Sequence, residues 1–365
     1  MALRFGVVGT GHWARTTHGA TLARLAREGR AELAGVWGRD PARTAAAASA
    51  VGTTAYPSFD ALLDDVDAVT FAVPPTAQAL LAERAAAAGR HLLLEKPVAT
   101  DADAARRLEA AVTAAGVASA VFFTRRYDPA TAAWVAAARA TGGWTGGHGE
   151  WSARIEGGPY ADSAWRKELG ALWDVGPHAL GLMLPLLGEV AAVTAVPGPG
   201  DTTHLVLRHR SGASSSATLS MTVPVPAKAQ TLVAYGDNGR TAIPDVRFDT
   251  PECFANAVSA LVRAAAGSEV EIPDVHFGRH VVEVLAAADL SRRSDRTVEV
   301  QMHAEGQAGD GRLEEVERRL AEMDARYGIT PDVQTAIVPE EVADERRVLV
   351  EERRRLRGET VPGQA

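Results

Sequence analysis

A single cysteine, Cys253, stands in 365 residues. One thiol excludes an internal disulfide framework and any cysteine-built zinc cluster, and no CxxC or other reactive-thiol context surrounds it, so no redox role is expected. Long apolar runs are also missing. The most apolar stretch, PHALGLMLPLLG, is shorter than the roughly 20 residues that span a bilayer, and it carries Pro185. The chain enters a strand-like run almost at once, without a basic segment, a long apolar region and a small-residue cleavage site in succession. The expectation is therefore no signal peptide, no membrane partner and a cytoplasmic location. Excess positive charge is lacking as well. Lys and Arg total 38 against 46 acids, a formal net charge of -8, and the basic residues are scattered among the acids. That pattern argues against nucleic acid and for small-molecule chemistry.

The length is more than one small core needs and reads as two domains with an appendage. Over residues 1–124, apolar runs at 3–8, 33–37, 68–73, 91–95 and 118–123 alternate with alanine-rich helical segments, two of which close at Gly89 and Gly116. That alternation is the pattern of βαβ units feeding a parallel sheet. Over residues 125–303 the runs GGHGEWSARIEGG, AAVTAVPG, HLVLRHRSG, SSSATLSMTVPV and QTLVAYGD are separated by Gly, Pro and Ser turns without a helix after each. These predict an α+β domain around a large, mostly antiparallel sheet, with helices over GALWDVGPHALGLMLPLLG, FANAVSALVRAAAG and GRHVVEVLAAADLSRRS. Residues 304–365 are densely charged with both signs. There Leu313, Val316, Leu320 and Met323 form one apolar stripe at helical spacing, and a second helix is expected over about 339–356. The expected result is a charged helical hairpin that docks on its own protein or on a sister subunit, with disorder as the alternative.

The most informative stretch is RFGVVGTGHWARTTHG, where Gly9, Gly11 and Ala14 follow the first strand and open a helix. A dinucleotide pyrophosphate needs backbone N–H groups and the positive end of a helix, and the G-x-G-x-x-G/A form supplies a tight turn, close backbone approach and a small residue where helix meets strand. Gly9, Thr10, Gly11, His12, Trp13 and Ala14 are therefore the expected cofactor turn. The acid that would accept both ribose hydroxyls belongs at the end of the second strand. Gly38 stands there, with Arg39 beside it. A missing carboxylate next to a guanidinium favours a 2′-phosphate, hence NADP(H) over NAD(H), although Asp40 is close by. Pro74, Glu95 and Lys96 lie at the ends of later strands, where ligands bind in open parallel sheets. Lys96 reads either as a solvated strand-end residue or as a proton carrier beside a nicotinamide.

The strand–GTGHWA–helix opening together with Glu95-Lys96-Pro97 resembles the Gfo/Idh/MocA family of NAD(P)-dependent oxidoreductases, of the glucose-fructose oxidoreductase and inositol dehydrogenase type. Two further motifs fit the same pattern: TRRYDPA, with Arg126, Tyr127 and Pro129, and WRKELGALWDVGPHAL, with Trp165, Arg166, Asp174, Gly176 and His178. The resemblance covers roughly residues 4–300. It departs where the Gly-rich run before Asp174 shrinks to Gly170, where Gly181 replaces a frequent Asp, and in the tail, which is not part of the pattern.

The resemblance implies hydride transfer between a nicotinamide and a secondary alcohol of a sugar, cyclic polyol or related polyhydroxylated substrate. It implies Lys96, Asp174 and His178 as catalytic residues, with His178 the preferred proton acceptor, Asp174 orienting, and Lys96 bridging cofactor ribose and substrate hydroxyl. Arg126, Tyr160, Trp165, Arg166, Asp174 and His178 are the expected substrate contacts, with packing an equal reading for Tyr160. No metal is expected, since one His and one Asp fall short of three zinc ligands. The resemblance also implies a cis Lys96–Pro97 bond and a homo-oligomer, dimer or tetramer, formed on the second sheet. Two other readings stay open: a retained cofactor serving hydrolysis or epimerisation through transient redox, and a non-catalytic dinucleotide-binding regulator.

Overall fold

The computed structural model describes residues 2–154, 158, 160, 163–223, 229–301, 312–327, 346–347, 349–350 and 353. They belong to two units, Met1–Gln301 and Met302–Ala365.

The first unit begins with β1 (Arg4–Val8), a π-helical turn (Ala14–Gly19) that runs into α1 (Ala20–Arg27), β2 (Glu32–Trp37), α2 (Pro41–Val51), β3 (Thr54–Ala55), α3 (Phe59–Leu63), β4 (Ala68–Phe71), α4 (Pro75–Ala87), β5 (His91–Leu94), α5 (Ala102–Ala115) and β6 (Ser119–Val121). The helices start and stop where local chemistry directs. Asp40, Ser58 and Asp101 accept backbone N–H bonds as N-caps, and Gly52 and Gly116 close α2 and α5 in the left-handed conformation. The strands form a parallel sheet in the order β3-β2-β1-β4-β5-β6. Strand order reverses between β1 and β4, and the ligand crevice of such a sheet lies outside the carboxyl ends at that point. The five expected strands are present, and two-residue β3 is added at the edge.

A second sheet is ordered β12-β11-β7-β10-β9-β8-β13. Its strands are β7 (Trp144–Ser152), β8 (Val190–Pro197), β9 (Thr203–His209), β10 (Ser214–Ser220), β11 (Ala229–Gly236), β12 (Gly239–Ala242) and β13 (Val298–Glu299). All pairings are antiparallel except β7 with β10, which is parallel. The helices of this part of the chain are α6 (Pro129–Thr141), α7 (Ala164–Asp174), α8 (Gly176–Leu187), α9 (Thr250–Ala265) and α10 (Val275–Ser294), of which α7, α8 and α10 pack on this sheet. In β9 buried and exposed residues alternate along the strand, as expected when one face packs on helices and the other is open.

The sequence order hides one packing relationship. Phe254, Val258 and Leu261 of α9 share a core with Phe5, Val7, Leu22, Leu25, Leu93 and Phe122. A helix from the later part of the chain thus covers one face of the first sheet. The opposite face, with Val8, Phe71, Leu92 and Leu94, is continuous with the core of the second sheet.

In the second unit, α11 (Arg312–Tyr327) is the described helix. Leu320 and Met323 pack with Leu349 and Val350, and Arg346 donates twice to Asp324, at 2.6 and 3.1 Å. These contacts join α11 to Arg346, Leu349 and Val350. The side chains of Leu313 and Val316, and most of 339–356, lie outside the described residues. Among the described residues no helix is long and apolar enough to cross a membrane.

Candidate active site

The turn after β1 is built around Gly9. Its φ is +129°, and a Cβ there would stand 2.4 Å from the Ala72 carbonyl oxygen at the end of β4. Gly9 N–H donates to Trp37 O at 2.9 Å, so the turn is tied to the carboxyl end of β2. A Cβ on Gly11 would meet nothing within 4 Å. Packing does not require that glycine, and its lack of a side chain leaves the backbone open to a ligand. Ala14 is 3 % exposed inside the core. The helix that begins here has its first N–H groups without intrahelical partners. These features fit a pyrophosphate, and Thr10, His12 and Trp13 complete the turn.

Gly38 immediately follows β2. A Cβ on it would lie 2.6 Å from Thr10 Cγ2, so a larger residue at 38 requires the Thr10 side chain to move. Asp40 is engaged as the N-cap of α2, its carboxylate accepting from Arg43 N at 3.0 Å. Arg39 is exposed at the same strand end. Pro74 is the N-cap residue of α4, placing it at the crevice side of β4.

Glu95 and Lys96 follow β5, and the Lys96–Pro97 bond is cis. Gln78, fully buried on α4, holds this backbone from the side: its Oε1 accepts from Glu95 N and its Nε2 donates to Glu95 O, both at 2.8 Å. Glu95 Oε1 accepts from Trp13 Nε1 at 2.5 Å and lies 3.2 Å from His18 Nε2. His18 Nδ1 is 2.8 Å from Thr70 Oγ1.

Lys96 Nζ reaches across to α7, donating to Asp174 O at 2.7 Å and to Asp174 Oδ1 at 2.8 Å. Arg166 Nε donates to the other carboxylate oxygen at 3.0 Å. Burial opposes ionisation of Asp174, but Lys96, Arg166, the Lys96 hydrogen bond and His178 more than offset it, so its pKa is well below the usual carboxylate range. Asp174 is an anion gripped by two cations. The Arg166 guanidinium lies 4.6 Å from the Tyr160 ring centroid and 4.5 Å from that of Trp165, a geometry in which cation–π attraction and stacking restrict its plane. Tyr160 also stands 6.2 Å from both the His12 and Trp13 rings.

Asp174 and His178 do not share one unbroken helix. Asp174 ends α7, which is kinked at Gly170 (φ 67°, ψ −165°), and His178 lies in the first turn of α8 after a joint at Val175. Val175 keeps helical dihedrals and accepts from His178 N at 3.1 Å, so the two side chains stay close enough for His178 to influence the Asp174 carboxylate. Arg126 faces another way. It donates to Gly181 O at 3.1 Å and lies 5.7 Å from the Phe277 ring, and burial pushes its pKa down to about 10. A Cβ on Gly181 would press on Phe123 at 3.0 Å, a packing reason for glycine at that position. Among the described residues no three His, Cys, Asp or Glu side chains converge as metal ligands would.

The structure therefore gathers Trp13, Glu95, Lys96, Tyr160, Trp165, Arg166 and Asp174 into one connected set, with His178 beside it and Arg126 on the α8 side. His18, Thr70 and Gln78 were not anticipated. Nothing in GHWARTTHG singles out His18, and Thr70 and Gln78 carried no signal either, because only the fold turns Gln78 toward Glu95 and Thr70 toward His18.

Residues 3–123 match the oxidoreductase family with an NAD-binding Rossmann fold, and residues 148–242 match the GFO/IDH/MocA C-terminal domain. UDP-N-acetylglucosamine 3-dehydrogenase of Acidithiobacillus ferrooxidans is 35% identical over 128 residues, 35% of this chain and 39% of that one. The aligned stretch is thus well under half of that relative's length. A solved structure of UDP-N-acetylglucosamine 3-dehydrogenase from this organism superposes with TM-score 0.68 and 25% identity, covering 80% of this chain and 99% of that one. D-xylose 1-dehydrogenase (NADP(+)) 2 of Haloferax volcanii is 28% identical over 303 residues, 74% of this chain and 92% of the relative. The WlbA dehydrogenase from Bordetella pertussis, solved with NADH and UDP-GlcNAcA, shares the fold at TM-score 0.70 and 24% identity, covering 83% of this chain and all of that one. With both family domains matched in order and the dinucleotide turn facing the Lys96–Asp174 pair, the chain belongs to the GFO/IDH/MocA oxidoreductase family.

Proposed function

We propose that this protein is an NADP(H)-dependent oxidoreductase acting on a secondary alcohol of a sugar, cyclic polyol or related polyhydroxylated compound. The observation that carries the reading is the direct bonding of Lys96, at the crevice end of β5, to an ionised Asp174 beside His178. Residues 1–124 hold the dinucleotide, 125–303 supply the substrate side, with α9 returning to the first sheet, and 304–365 form the charged helical extension.

Bound nicotinamide supplies a hydride acceptor or donor at its C4. The residues supply the rest. Gly9, Thr10, Gly11, His12, Trp13 and Ala14 hold the pyrophosphate side, with Pro74 and Glu95 lining the crevice beyond. Gly38 and Arg39 take the ribose 2′-phosphate, because no acid stands at 38, where a Cβ would press on the Thr10 side chain, and Asp40 caps α2. Lys96 is already bound twice to Asp174, so it acts as an electrostatic anchor for the substrate hydroxyl and cofactor ribose. His178 takes the hydroxyl proton. Asp174 fixes Lys96 and Arg166, and Tyr160 and Trp165 hold Arg166 flat for hydroxyl recognition. Arg126 supports α8 at the edge of the site.

The open face of the second sheet carries exposed Val196, Val206 and Tyr235, at 51, 55 and 46 %. We take this face as the surface on which copies of the chain associate.

The test is a fluorescence titration with NADPH and NADH, followed by a polyol and aldose panel read at 340 nm. NADPH binding with turnover on at least one sugar or polyol supports the reading. Tight binding with no net absorbance change on any of them would favour the retained-cofactor alternative, and no binding of either nucleotide would sink the whole assignment.

A further inference from the structure

The helix that opens after the dinucleotide turn departs from α geometry over Ala14–Gly19, where Ala20 N bonds back to Arg15 O in the i to i+5 pattern. At 3.6 residues per turn, Trp13 and His18 would point about 140° apart around the axis. In this π turn they converge: both ring nitrogens address the same atom, Glu95 Oε1, at 2.5 and 3.2 Å, and the rings lie 6.4 Å apart. π-turns inside α-helices are rare and concentrate at functional sites.

A carboxylate oxygen only accepts, so Trp13 Nε1–H and His18 Nε2–H both donate to Glu95. Thr70 is fully buried, and its Oγ1 lies 2.8 Å from His18 Nδ1. Thr70, His18, Glu95 and Trp13 form one connected chain. His18, at 1 % exposure, packs its ring on Phe254 at 4.3 Å. Gln78 fixes the Glu95 backbone on both sides, and Lys96 N lies 3.3 Å from Glu95 Oε2.

The dinucleotide turn and the base of Lys96 are therefore locked to each other through one carboxylate. We propose that the Ala14–Gly19 π turn is a positioning device: by bringing Trp13 and His18 into hydrogen bonds with Glu95 it sets the register between the dinucleotide turn and Lys96, which makes Trp13, His18 and Glu95 positioning residues of the reaction. The inference rests on the dehydrogenase reading above. Its effect falls on alignment of the reacting groups, where an error of about 1 Å can cost on the order of 100-fold in rate, and spares dinucleotide affinity, which the backbone of the turn supplies.

The experiment uses the full-length protein and Trp13→Phe, which keeps the ring against Tyr160 and deletes the N–H. His18→Phe serves as a second variant, keeping a ring on Phe254. Each is measured for NADPH dissociation constant, for the nicotinamide emission enhancement at saturation, for kcat and KM on the best sugar or polyol, and for melting temperature. The expected result is a 10- to 100-fold lower kcat and a reduced emission enhancement, with dissociation constant and KM within about threefold of wild type and a melting temperature lowered only modestly. Wild-type kcat and wild-type enhancement in both variants would overturn the proposal. So would parallel loss of affinity, rate and melting temperature, which marks a purely structural bond. An inactive wild type counts against the dehydrogenase reading, and the emission enhancement then still decides the positioning role. The Trp13 indole N–H proton, identified by its loss in Trp13→Phe, is expected far downfield and displaced upfield in Glu95→Ala; an unmoved signal would contradict the shared-carboxylate geometry.

Discussion

Lys96 and Asp174, 78 residues apart in sequence, meet with Nζ at 2.8 Å from Oδ1 and 2.7 Å from the Asp174 carbonyl oxygen. The pair joins the strand end of the nucleotide half to the helix that leads into His178. Its side chains are 9 and 11 % exposed, so the ion pair is poorly screened and each partner depends on the other.

Asp174→Asn is expected to lower kcat by about 100-fold or more while leaving NADPH affinity nearly unchanged, because it removes the charge that orients Lys96 and Arg166. Since the carboxyl is held well below its ordinary value of 3.8, Asp174 stays charged as the pH falls through about 4, and wild-type rates are expected to show no limb from it there. A rate–pH profile of the wild type checks this.

Arg39→Ala is expected to weaken NADPH about tenfold, roughly 1.4 kcal/mol, and NADH hardly at all. Gly38→Asp alone should gain no NADH affinity, because its Cβ would lie 2.6 Å from Thr10 Cγ2. Thr10→Gly combined with Gly38→Asp should bind NADH better than either single variant. Isothermal titration with both nucleotides separates these outcomes.

Away from the site, Glu283 on α10 accepts from Arg106 at 3.0 Å and from Arg279 at 2.6 Å, with His280 Nδ1 at 3.9 Å. Burial disfavours its charge, but this cationic surround holds its pKa at about 2, against an ordinary 4.5. A lowered folded-state pKa contributes stability that is full above the ordinary value and lost as pH falls through the folded one. Glu283→Gln should therefore cost about 3 kcal/mol at pH 7, and the difference from wild type should shrink between about pH 4.5 and pH 2. Denaturant melts across that window measure it.

A chain ending at Gln301, the last residue of the first unit, is expected to bind NADPH as the full chain does and to differ in oligomeric state. Sedimentation velocity read beside a nucleotide titration checks both. Lost binding with an unchanged assembly would refute it.

Much of this was legible because the relevant physics is local. The alternation of strand and helix, the Gly9–Ala14 turn and the Asp and Gly caps each depend on a few neighbouring residues. The placing of Lys96 at a strand end followed from the same local reading. What stayed hidden depends on long-range packing. Nothing in PECFANAVSALVRAA announces that α9 covers the first sheet, since a helix with Phe254, Val258 and Leu261 on one face fits any apolar surface. The same holds for His18: its burial and its partners exist only once a π turn replaces the expected α turn. The single helix expected over GALWDVGPHALGLMLPLLG is divided in two, because the kink at Gly170 and the joint at Val175 are tertiary features. The parallel β7–β10 pair escaped for a similar reason, as short alternating strands do not disclose their partners.

The covering role of α9 also bears on synthesis at the ribosome. The strands of the first sheet emerge long before residue 250, leaving Phe5, Val7, Leu25 and Phe122 without their cover until α9 is made. Until then that face of the nascent nucleotide half is covered only in part, by α1 and α2, the kind of intermediate that exposes apolar surface and invites chaperone capture or misassembly. A fragment cut at residue 124 would be caught permanently in that state, so the dinucleotide-binding half of this chain is not a module that can be transplanted on its own.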